Sequence, residues 1–316
     1  MTTLDDRRST LVYKIARSLA HQLASLPIAE IRWRPDEPTT CNREESLNGF
    51  RGHFDLKHRV LSFLSQRFFR DRTYRIRHGL AAGMRRKGGL GFLAFFPPRE
   101  TSETRFLSQL PLTGKVVYDV GAFEGLLTLF FARTAKRVIS WEPNPRNYER
   151  CLENVRLNAL TNVQLNNRGI SDQAGVIELT YDPLMPGAGS GQTAIATQIV
   201  SSVKSVQSVS VSVLPLDLDL VEHDFPPPDL IKIDIEGMEY PALLGMRETL
   251  RQHRPELFIE MHGATLSEKS ANARAVMSLL ESYGYSCYDV GCARELTSET
   301  PGEPRPAHLY CRVHSA

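Results

Sequence analysis

The chain has 316 residues, 41% of them hydrophobic and 23% charged, with a formal net charge of +2 at pH 7. That length admits one good-sized core with an appended region, or two modest domains. No apolar run approaches the ~20 residues needed to cross a bilayer, so a membrane span is not expected. The start, from Met1 to Arg8, is polar and lacks the basic and apolar blocks of a signal peptide. Five scattered cysteines (Cys41, Cys151, Cys287, Cys292, Cys311) contain no C-x-x-C pair. They argue against a disulfide framework or a zinc site and for a reducing, cytoplasmic setting.

Residues 1–100 lack any strand-helix-strand rhythm and read as a mainly helical region, with apolar stripes at Ile15, Leu19, Leu23 and Leu26 and again from Val60 to Phe69. Between Asp55 and Lys87 ten basic residues face only two acids. This excess suits an anionic acceptor, or is simply a solvated face paired elsewhere; without clearly interleaved exposed aromatics a nucleic-acid partner is not expected.

From residue 101 to the end the pattern is regular. The run from Val116 to Val120 leads through Gly121, Ala122 and Gly125 into an apolar helix, which describes a buried strand turning tightly beside a helix N-terminus. A second run ends at Glu142, about 20 residues beyond the glycines, where α/β nucleotide folds place a carboxylate for the ribose hydroxyls. Asp119 stands where a dinucleotide fold carries its first glycine. A carboxylate there repels a pyrophosphate but suits a sulfonium and an ammonium, so S-adenosylmethionine is favoured over NAD. Asn144 reads as a helix N-cap before Pro145 and as a further cofactor contact, joined by Ser171 and Asp172 after the third strand.

The segment from Asp182 to Ser208 breaks the rhythm and reads as a long loop, either a substrate lid or disorder. After Pro226-Pro227-Pro228 comes a strand that alternates Ile231, Ile233 and Ile235 with Lys232, Asp234 and Glu236. Burying three ionisable groups is costly unless they pair or face a ligand, so this strand reads as a site. A single helix is expected to follow it, through Leu250, and the next strand turns polar at Glu260, Met261 and His262. Polar strand ends of this kind converge on one crevice in an open α/β sheet. His262 is the candidate base for a hydroxyl proton, with Asp234, Glu236 and Glu260 either orienting it or holding a divalent cation, and Lys232 pairing with one of them. Strands at residues 285–290 and 309–313 complete an expected seven-stranded, mostly parallel sheet with helices on both faces.

The motifs Asp119-Val120-Gly121-Ala122, Trp141-Glu142-Pro143-Asn144-Pro145, Lys232-Ile233-Asp234-Ile235-Glu236-Gly237-Met238-Glu239 and Glu260-Met261-His262, taken together, resemble those of the FkbM family of S-adenosylmethionine-dependent methyltransferases. The resemblance implies a class I methyltransferase (Rossmann-like) fold over residues 101–316, and methyl transfer to a hydroxyl oxygen of a sugar, glycan or polyketide-type metabolite. The chain departs from the family at Phe123 and Glu124, where an Asn and an apolar residue are usual. A cofactor-binding scaffold without turnover and an NAD-dependent oxidoreductase stand as alternatives.

Overall fold

A computed structural model describes residues 71–88, 100–182, 185–202, 206–302, 304 and 306–313. The helical expectation for the first 70 residues lies outside them. Residues 71–88 are not helical: β1 (Tyr74–Arg75) and β2 (Arg85–Arg86) form a small antiparallel hairpin.

Helix α1 (Ser102–Gln109) begins at a capping box between Thr101 and Thr104, two side chains satisfying the free N–H groups of the first turn. Strand β3 (Val116–Val120) leads into α2 (Leu126–Ala132), β4 (Arg137–Trp141) into α3 (Pro145–Leu157), and β5 (Val163–Asn166) into the two-residue β6 (Gly169–Ile170). Asn144 caps α3, its side chain accepting from the Arg146 N–H with Pro145 at the first helical position.

The segment expected as a loop is ordered into structure. Strands β7 (Gly175–Asp182), β8 (Met185–Ser190) and β9 (Gln207–Leu214) join β6 in a second, four-stranded sheet, and α4 (Thr193–Ser202) lies within the same stretch. Small and hydroxylated residues hid this, because β8 finds its partner across a hairpin and carries no alternating apolar signal of its own. Ile195 and Ile199 of α4 are buried with Ala264.

Then come α5 (Leu216–Glu222), β10 (Leu230–Ile233), α6 (Glu239–Leu244), α7 (Arg247–His253), β11 (Glu256–Glu260), α8 (Leu266–Ser282), β12 (Tyr285–Asp289), β13 (Arg294–Leu296) and β14 (His308–Val313). The helix expected after β10 is thus two. Its break falls at Gly245, where an added Cβ would lie 1.9 Å from the Ser171 carbonyl oxygen; the backbone of another element occupies the place of a side chain.

The main sheet has eight strands, not seven, in the order β13-β12-β14-β11-β10-β3-β4-β5. The five from β11 to β5 are parallel, and the pairs β11/β14, β14/β12 and β12/β13 are antiparallel. The extra strand is the short β13, which folds back on β12 at the edge. Every residue of β3 and β10 is buried, as expected of central parallel strands covered on both faces. Trp141 and Tyr118 meet edge-on with ring centroids 5.0 Å apart in one core, and Leu107, Phe131 and Phe258 fill the other. The strand order reverses between β3 and β10, so the crevice at their carboxyl ends is the topological switch point where such sheets bind ligands.

No described helix is long and apolar enough to cross a membrane. Cys151, Cys287 and Cys311 are free thiols, but Cys292 is disulfide-bonded, which the expectation of a reducing setting does not anticipate.

Candidate active site

The glycine loop leaves β3 at Gly121, whose φ is 87°. An added Cβ there would lie 1.8 Å from the Asp234 carbonyl oxygen, so only glycine lets the loops after β3 and β10 touch. The N–H groups of Gly121 and Ala122 both donate to the Trp141 carbonyl at 3.0 Å, and Gly125, again left-handed, caps α2.

Asp119 is fully buried; its Oδ2 accepts from Thr128 Oγ1 at 2.6 Å. Its Oδ1 has no hydrogen-bond donor, and the Lys232 ammonium stands 3.6 Å away. Glu142, at the end of β4, accepts from the Phe123 N–H at 2.8 Å and the Asn144 N–H at 2.9 Å. Burial nonetheless pushes its carboxyl up to about 7, outweighing these donors. Asn144 spends its side-chain oxygen on the helix cap while its Nδ2 is buried without an acceptor. Ser171 and Asp172 are placed differently. They bond to each other at 3.1 Å, and Ser171 donates its N–H to Leu214 and packs against Gly245.

Strand β10 ends at Ile233, so Asp234 and Glu236 stand on the loop beyond it and not on a strand face. Glu236 adopts φ 54° beside Gly237 at 101°, a sharp turn that few non-glycine residues take. Lys232 is 4% exposed and donates to the Gly121 carbonyl at 3.1 Å and to Asp234 Oδ2 at 3.2 Å. Burial alone would strip its proton; Asp234, Asp119 and Glu260 outweigh burial and hold the ammonium charged. Asp234 is raised above the usual carboxylate range, by burial first, with Lys232 opposing.

His262 follows β11 and is buried. Its Nδ1 lies 2.9 Å from Glu239 Oε1, and Glu239 also accepts from the Gly237 N–H at 2.9 Å and from Asn272 Nδ2 at 2.8 Å. The other ring nitrogen, Nε2, faces Glu260 at 3.5 Å, Glu236 at 3.7 Å and Asp234 at 3.9 Å. Burial disfavours the imidazolium, but Glu236, Glu239 and Glu260 raise His262 well above an ordinary histidine. Glu260 shares its second oxygen with His308 Nε2 at 3.7 Å and is lowered: burial opposes ionisation, but the two histidines prevail.

The structure therefore brings Asp119, Gly121, Lys232, Asp234, Glu236, Glu260 and His262 together, with Glu142 and Asn144 on the far side of the glycine loop. Glu239, Asn272 and Thr128 were not singled out by sequence. Glu239 was legible, since it closes the K-x-D-x-E-G-x-E run; Asn272 lies mid-helix and carries no local signal. Of the basic segment, Arg86 and Lys87 turn inward onto Glu124 and Glu153.

Residues 119–287, just over half the chain, match the methyltransferase FkbM domain family, and the chain belongs to it. Among curated relatives, hexuronic acid methyltransferase AglP of Haloferax volcanii is 28% identical over 46% of this chain and 56% of its own length. The 2-O-methyltransferase NoeI of Sinorhizobium fredii is 27% identical over 57% and 76% respectively. The chain thus spans little more than half of the first of these. A solved FkbM methyltransferase from Methylobacillus flagellatus aligns with 71% of this chain and 52% of its own, at 17% identity and a TM-score of 0.45. Membership of this family argues against the oxidoreductase alternative.

Family membership implies S-adenosylmethionine as methyl donor, and the residues present fit it. Asp119 Oδ1 and Asn144 Nδ2, a buried acceptor and a buried donor without partners, flank the glycine loop, and buried polar atoms of this kind are normally satisfied by something.

Proposed function

We propose that this chain is a methyltransferase that acts on a hydroxyl oxygen of a sugar, glycan or small metabolite. The observation that carries the reading is His262, oriented through Nδ1 by a buried carboxylate, with Nε2 facing Asp234, Glu236 and Glu260 beyond the ends of β10 and β11. Glu142 and Asn144 hold the ribose and Asp119 the cationic end of the cofactor. The cofactor supplies an already activated methyl group, so the chain must align the acceptor and remove its proton. His262 takes that proton at Nε2, Glu239 and Asn272 fix the ring, and Asp234, Glu236 and Glu260 stabilise the imidazolium that results. Lys232 keeps Asp119 and Asp234 from repelling each other. The hexuronic acid in one relative's name and the 2-O position in another's support a hydroxylated acceptor. An anionic acceptor would have to meet the exposed arginines of residues 72–85.

A second reading has its own observation. Donor atoms of Asp234, Glu236 and His262 lie within 4.8 Å of one another, close enough for one divalent cation to lower the hydroxyl pKa in place of a base. Here His262 replaces Glu260 in the donor set expected from sequence.

The test is incubation with methyl-labelled S-adenosylmethionine and a panel of hexuronic acids, deoxysugars, nucleotide-sugars and phenolic or polyketide alcohols, with and without chelator. Label on a sugar hydroxyl supports the reading, and label on nitrogen or carbon overturns it. Loss of activity to chelator with recovery on magnesium selects the second form. Cofactor binding without transfer to any fraction of cell extract would leave a scaffold.

A further inference from the structure

The hairpin of residues 71–88 precedes the family domain, yet it is bound to the glycine loop. Arg86 donates from its guanidinium to Glu124 Oε2 at 3.2 Å, with side chains only 9% and 13% exposed. Gly88 lies against the same carboxylate: a Cβ there would come within 2.5 Å of Glu124 Oε2. The hairpin backbone is read by two asparagines four residues apart, Asn154 on α3 and Asn158 at its C-terminal cap. Asn158 accepts from the Arg85 N–H and donates to the Arg85 carbonyl, both at 2.7 Å. Asn154 accepts from the Lys87 N–H at 2.7 Å and donates to the Lys87 carbonyl at 3.1 Å and to the Glu124 carbonyl at 2.8 Å. Ile76 and Ala81 bury the hairpin's apolar side against Leu129 of α2.

Glu124 is thus held by its side chain and its carbonyl, and its neighbour Phe123, at φ 51°, donates its N–H to Glu142. Left-handed backbone is disfavoured for a bulky residue and needs external restraint. The hairpin holds the next residue, Glu124, from both its side chain and the Asn154 that binds its carbonyl, and a buried guanidinium is a costly device for joining two surface segments.

We propose that residues 71–88 clamp the cofactor loop and that Arg86 is a positioning residue for S-adenosylmethionine, acting through Glu124 and Phe123 on Glu142. This rests on the reading of the glycine loop as the cofactor site. It moves the functional boundary of the methyltransferase from residue 101 back to about residue 71.

The experiment compares the full chain with Arg86→Ala, Arg86→Lys and Glu124→Gln. Amide exchange is measured on the cofactor-free proteins and S-adenosylmethionine affinity by calorimetry. Arg86→Ala is expected to speed exchange at residues 121–125 but not in β14, and to weaken cofactor binding about 5- to 20-fold. Arg86→Lys should recover part of both, and Arg86→Ala should raise KM for the cofactor with kcat within about twofold. Unchanged exchange at 121–125 in folded Arg86→Ala overturns the clamp; if that variant does not fold, unchanged exchange in Glu124→Gln does so. Failure of the unaltered chain to bind S-adenosylmethionine would defeat the reading of the site instead, leaving the exchange result to decide the clamp.

Discussion

His262 Nδ1 and Glu239 Oε1 lie 2.9 Å apart in the interior, and the pair is completed by an amide, Asn272, on the far oxygen of Glu239. A histidine fixed this way has one tautomer when neutral and one direction in which to act. His262→Ala should lower kcat by about 10²- to 10⁴-fold with cofactor affinity intact. Single-turnover rates set beside calorimetry check it, and a variant with near-normal turnover removes His262 from the chemistry.

The same surroundings give the reaction a pH dependence. Glu236, Glu239 and Glu260 raise His262 well above an ordinary histidine, so the fraction in the base form grows as pH rises through a range higher than usual. The expected kcat climbs with pH above the range where an ordinary histidine titrates, and Glu239→Gln, which removes one of the charges favouring the imidazolium, should move that climb to lower pH. A flat profile in both proteins contradicts the assignment.

Glu142 carries a separate pH signature. Its carboxyl is raised in the folded chain to about 7, so the folded state holds a proton that the unfolded state releases near 4.5. Folded protein therefore loses stability as pH rises from 4.5 to 7, by about 3 kcal/mol at the limit. Ribose hydroxyls need the ionised carboxylate, so cofactor affinity should increase up to about pH 7 and level off above it. Thermal melts with and without cofactor at pH 6 and 8 test both signs, and Glu142→Ala should cost about 10- to 100-fold in affinity.

Gly121→Ala would force a methyl group against the Asp234 carbonyl in a left-handed conformation. Overpacking and backbone strain together cost about 2 to 5 kcal/mol, read as a lower urea midpoint. Cofactor binding should fall with it, because the loops after β3 and β10 can no longer touch.

Away from the site, Asp219 is fully buried and accepts from Trp141 Nε1 at 2.6 Å and Arg168 at 3.0 Å. Asp219→Ala leaves the indole N–H unpaired in the core and should cost about 2 to 4 kcal/mol. Asp219→Asn, which keeps an acceptor, should cost less; equal losses would mean that packing, not hydrogen bonding, dominates there.

Legibility in the sequence followed the range of the interaction. Asp119, Gly121, Glu142 and the strand carrying Lys232 stand out because a buried run, a sharp turn and a polar strand end are written within a few neighbours. The second sheet is not, since β8 has meaning only once β7 lies beside it. Asn154 and Asn158 look like ordinary helical residues until a hairpin some 70 positions earlier is laid across them. Gly245 resembles any helix-breaking glycine, and the Ser171 carbonyl that requires it comes from another part of the chain.

Lys232 serves two masters, the carboxylates of Asp119 and Asp234. Any ligand that brings positive charge to Asp119 weakens that carboxylate's hold on the ammonium, and so shifts the lysine's pull toward Asp234. Thermodynamic linkage makes such an effect mutual: two ligands that meet these carboxylates would each alter the affinity of the other by the same factor. One buried ammonium shared by two carboxylates thereby ties what happens at one of them to what happens at the other, whichever is met first.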